Sequence, residues 1–176
     1  MGVIANQKSL PGVAAEQEQG QYLTFMLGGE IFAIGILHIK EIIEYGTLTA
    51  VPMMPDYIRG VINLRGAVVP VVDLSARFGR KSMDVSRRTC IVIIEVMNED
   101  VQQDIGVVVD MVNEVLEIPE AEIEPGPSFG AKIRVDFIGG MGKVDGKFVI
   151  ILNVDKVLSV EELANITHAA GTSLAA

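Results

Sequence analysis

The feature that most constrains this chain is an internal duplication. Residues 57–78 return without a gap 80 positions later, as residues 137–158. The shared positions are those that set backbone shape and core packing: Ile58, Gly60, Gly66 and Val69 reappear as Ile138, Gly140, Gly146 and Val149. A repeat of this length predicts two related subdomains, because a solenoid of short units would show a period of about 20–50 residues.

A second block supports the duplication. Residues 32–52 align without a gap on residues 105–125, at an offset of 73. Two glutamates and a proline recur in it, so that Glu41, Glu44 and Pro52 are matched by Glu114, Glu117 and Pro125. The second copy then has a longer connector before residue 137, rich in glycine, proline and serine, which is typical of a loop. Two blocks in the same order favour duplication over chance similarity between β-rich sequences.

Each copy of the first block predicts a β-hairpin followed by a short helix. Apolar β-branched residues flank a polar tip, and the tip contains a glycine that can adopt positive φ. We therefore expect Gly66 and Gly146 at equivalent hairpin tips. Asp73 ends the second strand of the first copy and can cap a helical turn, and Asn153 takes this place in the second copy.

The remaining segments also indicate short strands. Alternating or β-branched runs predict strands at 22–27, 31–34, 41–45, 90–97, 101–109 and 114–118, with a single helical turn at 35–39. Ser159 and Glu162 form a capping box for a C-terminal helix to about residue 167. About five strands per copy predict a mainly β fold, either two small barrels or one sandwich. Because such a unit is marginal alone, the two copies should pack together.

The predicted organisation is a single duplicated domain between two tails. We expect residues 1–20 and 168–176 to be disordered or flexible, residues 21–167 to form the domain, and a linker between the copies near 79–88. The N-terminal segment has no apolar stretch typical of a signal peptide, and no apolar run approaches the roughly 20 residues of a membrane helix. With one cysteine in 176 residues, a disulfide framework is excluded. We expect a cytoplasmic protein without direct membrane insertion.

The composition argues against catalysis, metal binding and nucleic-acid binding. A net charge of −9 repels phosphate backbones. The two histidines, His38 and His168, have no metal-ligand or catalytic pattern around them, and Cys90 lies in an apolar strand typical of an inert thiol. Glycines at 139, 140 and 142 resemble a phosphate loop only superficially, since no Walker lysine follows. We expect no enzyme activity, no cofactor and no metal.

Comparison of the two copies points instead to protein binding. The first hairpin tip has Arg65-Gly66 where the second has the ordinary turn pair Asp145-Gly146. Arginine suits planar, bidentate partners and interface anchoring, although a solvated turn residue fits the spacing equally well. Glu41 recurs as Glu114 and indicates only a solvent-facing position. Ile39 and Val112 occupy equivalent apolar positions that would line a groove between packed barrels.

The same residues carry a family resemblance. Ile39-Lys40-Glu41-Ile42, the segment Ile58-Arg59-Gly60-Val61-Ile62-Asn63-Leu64-Arg65-Gly66-Ala67-Val68-Val69-Pro70-Val71-Val72-Asp73-Leu74 and the segment Gly106-Val107-Val108-Val109-Asp110 resemble the CheW-type coupling proteins of bacterial chemotaxis. The resemblance covers about residues 20–160. It implies two five-stranded SH3-like barrels and a non-catalytic scaffold that joins the cytoplasmic tips of chemoreceptors to the regulatory domain of the histidine kinase CheA.

The resemblance also implies where the receptor binds. Ile39, Glu41, Gly60, Arg65 and Val112 fall at the family's receptor-contacting positions, in and beside the groove between the barrels, whereas the kinase contacts cannot be assigned to residues. The implied mechanism is positional, since receptor and kinase are held in one array. The alternative is a small-molecule-binding β-barrel sensor, which requires a buried, polar-lined cavity. An enzyme of unknown type ranks third because it lacks candidate residues.

Overall fold

The structure is a computed structural model that describes residues 20–81, 84–98, 100–125 and 137–157. The strands of the first copy are β1 (Gln21–Leu27), β2 (Glu30–Gly35), β3 (Ile39–Glu44), β4 (Ile58–Leu64) and β5 (Ala67–Asp73). Those of the second are β6 (Cys90–Asn98), β7 (Val101–Val109), β8 (Met111–Glu117), β9 (Ile123–Glu124), β10 (Ile138–Val144) and β11 (Lys147–Leu152). Short helices α1 (Leu74–Arg77) and α2 (Val154–Val157) follow β5 and β11, and 3₁₀ turns lie at Ile36–His38 and Glu120–Glu122.

The strands form two sheets, and each sheet draws on both copies. The first sheet has the order β8-β1-β2-β11-β10-β9, and the second has the order β3-β6-β7-β5-β4. The prediction of about five strands per copy is confirmed, with the two-residue β9 as an addition. The copies nevertheless do not fold separately. Each gives its first hairpin, β1–β2 or β6–β7, to the sheet that holds the later strands of the other copy.

The exchange of hairpins pairs matched residues in the two sheets. In the second sheet Val71 of β5 pairs in parallel with Gly106 of β7, and the matched residues Ile151 and Ala33 pair in the first sheet. The late hairpins β4–β5 and β10–β11 share one register and one bulge, at Arg59 in the first copy and at Gly139 in the second. The two halves are therefore one backbone design used twice, which confirms the duplication predicted from sequence.

Most local predictions agree with the structure. Gly66 and Gly146 both lie at two-residue hairpin tips with positive φ, and the Asp73 side chain caps α1 by accepting from the Ala76 N–H. The predicted strand at 114–118 begins earlier, at Met111, because it pairs with β1 as far as Met26. The predicted tails and the C-terminal helix from Ser159 lie outside the described residues, as does part of the 79–88 linker.

Three apolar cores explain why the strands carry continuous hydrophobic runs. The second sheet encloses a core of Val69, Val71, Ile91, Ile93 and Val108. The first sheet encloses a core of Ala33, Ile118, Val149 and Ile151. The largest core lies between the sheets and takes side chains from both, with Phe25, Phe32, Phe78 and Phe137 among them. Central strands such as β6 are buried on both faces, so that alternation of apolar and polar residues disappears.

Arg77 contacts residues of both copies. Its guanidinium carbon lies 4.8 Å from the ring centroid of Tyr57 and 5.0 Å from that of Phe137, which are matched positions of the duplication. Its Nε donates a hydrogen bond of 2.9 Å to the carbonyl oxygen of Val157, the residue that matches Arg77 itself. Arg77 therefore links the two copies through cation–π contacts and a charge-assisted hydrogen bond.

The described part of the chain contains no helix long and apolar enough to cross a membrane.

Candidate functional site

The tip of the β4–β5 hairpin has an unfavourable residue for its backbone conformation. Arg65 has φ of +53° and Gly66 of +88°, and the Asn63 side chain supports the turn by accepting from the Gly66 N–H at 2.9 Å. The matched tip has the same geometry, with φ of +50° at Asp145. Aspartate adopts this left-handed conformation more readily than arginine does. The turn geometry alone therefore does not explain why position 65 is an arginine. The contacts of its side chain must offset the cost of the backbone conformation.

The Arg65 side chain forms a two-point ion pair with Glu41 on β3. Its Nη1 lies 3.1 Å from Oε1 and its Nη2 lies 2.8 Å from Oε2. The hydrogen bond and charge of Glu41 raise the pKa of Arg65 above its ordinary value. The arginine side chain stays 72% exposed, whereas that of the glutamate is 25% exposed. The structure thus brings together two of the predicted receptor-binding residues and presents mainly the guanidinium to solvent.

A second ion pair lies beside the first. Lys40 Nζ lies 2.9 Å from Asp104 Oδ2, and the hydrogen bond and charge of Asp104 raise the pKa of Lys40. The charge of Asp104 also raises the pKa of Arg65, and the charge of Glu95 also raises the pKa of Lys40. These five side chains surround one end of the second sheet, and we call them the charged rim: Lys40, Glu41, Arg65, Glu95 and Asp104.

The charged rim belongs to one sheet only. Strand register matches its members to residues at the equivalent end of the first sheet: Asn113, Glu114, Asp145, Met26 and Ile31. Neither of the two ion pairs can form there, because both cations and two of the three carboxylates are replaced. The shared backbone therefore does not require the charged rim.

Ile39 and Val112 lie at the edges of the core between the sheets. Ile39 begins β3 opposite Ile94, and Val112 in β8 lies opposite Phe25, in the same register. Both are partly buried and pack against the central core. Register and burial therefore make the two positions equivalent, whereas the groove that they were predicted to line remains a prediction. Their contact with a receptor remains a prediction.

Gly60 lies in β4 five residues before Arg65 and is buried, so that its contribution is one of backbone shape. It has φ of +151°, and a Cβ at this position would come within 2.5 Å of the Thr49 carbonyl oxygen. That carbonyl accepts the Val61 N–H at 2.9 Å and holds the connector after β3 against β4. A side chain at residue 60 would push this backbone away.

Gly60→Ala is expected to lower the free energy of unfolding by about 2 kcal/mol or more, because both the φ angle and the approach of Thr49 disfavour a side chain. Chemical unfolding in urea measures this change. Gly140→Ala is the matched control. Its Cβ would meet Ile123 Cγ2 at 2.6 Å and the Glu124 carbonyl oxygen at 3.3 Å, so that this variant also has a steric cost, but the glycine lacks an unfavourable φ and its total cost should be smaller. A cost at Gly140 as large as that at Gly60 would contradict this explanation.

The structure describes most of the groups considered for catalysis, and His168 lies outside the described residues. Burial, followed by the charge of Glu44, raises the pKa of the Cys90 thiol. Because the thiolate is the reactive form, this shift makes Cys90 less reactive at neutral pH, in agreement with the inert thiol expected from sequence. The glycines at 139, 140 and 142 lie within β10 and do not open a helix. Within the described ranges, no three His, Cys, Asp or Glu side chains are grouped as metal ligands.

The interiors of the sheets also bear on the alternative of a small-molecule sensor. Both are filled by the buried aliphatic side chains of their own cores. Between the sheets there is a void of about 10 Å³ lined by apolar residues such as Ile34 and Leu74, which is room for one water molecule at most. The buried polar cavity that such a sensor needs does not occur at these places.

Sequence reasoning missed one buried ion pair. Arg59 Nε donates to Asp73 Oδ2 at 3.1 Å, the Asp73 carboxylate is fully buried, and the guanidinium lies 6.0 Å from the Tyr45 ring centroid. A signal was present in the duplication. The second copy has Gly139 in place of Arg59 and Asn153 in place of Asp73, so that both charges are absent together. The rim pair Lys40–Asp104 gave the same kind of signal, because its matched residues Asn113 and Ile31 also lack both charges.

Comparison with known proteins yields a consistent set of relatives. A family profile described as a CheW-like domain matches residues 21–162. The chemotaxis protein CheW of Klebsiella aerogenes is 32% identical over 170 residues, covering 97% of this chain and 98% of its own length. The chemotaxis protein CheW of Bacillus subtilis is 33% identical, covering 85% of this chain and 94% of its own.

A solved structure agrees with this set. The crystal structure of the scaffolding protein TtCheW from Thermoanaerobacter tengcongensis superposes with a TM-score of 0.72 at 34% sequence identity, and covers 79% of this chain and 87% of that one.

Proposed function

This chain belongs to the CheW-like family of chemotaxis coupling proteins, and from that membership we propose that it joins the cytoplasmic signalling tips of chemoreceptors to the regulatory domain of the histidine kinase CheA. The observation that carries the proposal is the charged rim, because the duplicated backbone supplies two equivalent ends and only one of them has it. It acts as a non-catalytic adaptor without a cofactor, in the cytoplasm, and is recruited to membrane-associated receptor arrays.

The receptor contacts the charged rim through Arg65 and Glu41. The Arg65 guanidinium is already held in position by Glu41, so that less side-chain freedom is lost on binding than for an unpaired arginine. Its exposed donors face outward and suit a carboxylate or backbone carbonyl of the receptor. Charge complementarity at such a surface determines partner choice and association rate.

Ile39 and Val112 extend the receptor contact toward the core between the sheets. Both are partly buried at the edge of that core, where a receptor helix can add apolar contact without unfolding the adaptor. Gly60 contributes indirectly, because its close approach to Thr49 holds the connector that follows β3. A polar rim beside an apolar strip is the usual composition of a protein–protein interface.

The coupling mechanism is positional. The sheets share one large apolar core, and Arg77 fastens both copies, so that partners bound to opposite sheets are held at a defined separation. A shift of the receptor is then transmitted to the kinase by the packed body of the adaptor. No reacting group is required.

We expect this protein to form a ternary complex with a soluble receptor signalling-tip fragment and the kinase regulatory domain. Size-exclusion chromatography with light scattering should show each pairwise complex and then co-elution of all three. Binding of the two partners should not be mutually exclusive. Failure of the protein to bind either partner would contradict the proposal, and competition between receptor and kinase would exclude the scaffold mechanism.

A further inference from the structure

The first sheet carries an open cleft that the proposed receptor site does not use. The cleft has a volume of about 270 Å³ and lies between the 3₁₀ turn after β2, the start of β10 and the start of α2. Its polar lining comes from Tyr22, His38, Asn153 and Asp155, and its apolar walls come from residues such as Ile36 and Leu152. It is on the opposite sheet from the charged rim.

The duplication shows what occupies the matched place in the second sheet. Gly139, at the bulge of β10, matches Arg59 at the bulge of β4, and Asn153 matches Asp73. In the first copy the Arg59 side chain crosses this region and donates to Asp73. It is 22% exposed, so that most of the side chain is packed. The chain therefore contains its own example of a guanidinium bound between these elements.

The second copy lacks the side chain but keeps the room for it. A Cβ built on Gly139 would lie 3.5 Å from the Ile151 carbonyl oxygen and 3.7 Å from the Asn153 nitrogen, which are ordinary van der Waals contacts. Gly139 does not have a positive φ, so that the backbone does not require glycine. Its absent side chain leaves the cleft open to an occupant from outside.

The charge of the cleft suits a cation. Asp155 lines it with an exposed carboxylate, and within the part of the chain that the structure describes this carboxylate has no ion-pair partner. Burial, followed by the charge of Glu120, raises the pKa of Tyr22, so that its hydroxyl stays protonated and neutral at neutral pH. The Asn153 side chain supplies a neutral acceptor where Asp73 supplies a charged one. Lys156 is the one neighbouring cation in α2, and it does not line the cleft.

We propose that this cleft binds an arginine side chain of the kinase regulatory domain, in the place that Arg59 fills in the other copy. The choice of partner rests on the proposed function. The receptor is assigned to the charged rim together with Ile39 and Val112, and none of these residues lines the cleft. A coupling protein must hold its two partners at once. Arginine is favoured over lysine because Arg59 binds Asp73 through its Nε, on the side of a planar guanidinium, and lysine has no equivalent donor.

A titration with a small probe tests the cleft without any partner. N-acetylarginine amide is added to the ¹⁵N-labelled full chain, and N-acetylcitrulline amide is the neutral control of the same shape. We expect saturable shifts of the Gly139, Asn153 and Asp155 amides with the arginine probe alone. Asp155→Asn should weaken the probe's affinity about threefold, as expected for one exposed charge pair. Equal shifts with both probes, or no saturable shift, would overturn the cation site.

A variant that fills the cleft from within tests the partner. Gly139→Arg with Asn153→Asp rebuilds the arrangement of the first copy, and it should weaken binding of the kinase regulatory domain about tenfold or more. Binding of the receptor tip should stay unchanged, which also shows that the variant is folded. Asp155→Asn, a surface change, should weaken kinase binding about threefold in the same direction.

The outcomes separate this inference from the proposed function. If the wild-type protein binds both partners and the filled cleft leaves kinase binding unchanged, the arginine site is wrong and the adaptor function stands. If the wild-type protein binds neither partner while the arginine probe still binds, the cation site stands, and its assignment to the kinase is overturned together with the adaptor function.

Discussion

Asp73→Ala is expected to lower the free energy of unfolding by about 3–5 kcal/mol. The Asp73 carboxylate is fully buried, accepts from Arg59 Nε at 3.1 Å and caps α1 by accepting from the Ala76 N–H at 3.2 Å. Alanine removes both contacts and leaves a packed guanidinium without this carboxylate. Urea unfolding followed by circular dichroism measures the loss, and a change below about 1 kcal/mol would contradict the role assigned to the pair.

The second copy provides the control for Asp73. Asn153→Ala removes an uncharged residue at the matched position and should cost about 1 kcal/mol. Arg59→Gly with Asp73→Asn installs the second copy's arrangement in the first. Because the pair is lost as a unit, this double variant should be less destabilised than the sum of its single variants. Strictly additive losses would show that the two charges do not stabilise each other.

Arg65→Glu is expected to weaken receptor-tip binding about 30-fold or more while leaving the melting temperature within about 3 °C of the wild type. The side chain is 72% exposed, so that the fold loses little, whereas a partner that accepts the guanidinium would face a reversed charge. Glu41→Lys should weaken binding similarly. Isothermal titration calorimetry with the receptor fragment and thermal unfolding of each variant measure the two effects separately.

The ion pair allows a further distinction. In the swapped variant Arg65→Glu with Glu41→Arg, the two residues can pair again with reversed positions. If the receptor reads the guanidinium at the hairpin tip, the swap should not restore binding. If the pair merely holds the hairpin against β3, the swap should restore it, and Arg65 would be structural. Asp145→Lys at the matched tip tests whether any tip charge matters, and it should leave receptor binding unchanged.

The duplication separates what the backbone needs from what the surface adds. Register, bulges and hairpin tips agree residue for residue between the copies. The charges do not agree, since the charged rim occurs at one end only and the Arg59–Asp73 pair is replaced by Gly139 and Asn153. The exposed charged rim is the difference that points to binding, whereas the buried Arg59–Asp73 pair is a structural difference within the first copy.

Local order could be predicted from the sequence because it rests on short-range rules. The tips at Gly66 and Gly146 follow from the need for positive φ between two β-branched runs, and the cap at Asp73 follows from its place before a helical turn. Because the two copies have matching sequences, the strands and turns predicted for one copy were also predicted for the other. The asymmetry between Arg65 and Asp145 could likewise be read from matched positions.

Only the tertiary structure decided how the copies combine. The exchange of the β1–β2 and β6–β7 hairpins places residues far apart in sequence side by side, and no local pattern states which sheet a hairpin joins. The contacts of Arg65 with Glu41 and of Arg77 with Tyr57, Phe137 and Val157 depend on that exchange or on the packing across it. Residues that are close in sequence determine where each strand and turn forms. Which strands then pair, and which side chains meet across the sheets, is decided by the burial of a common apolar core.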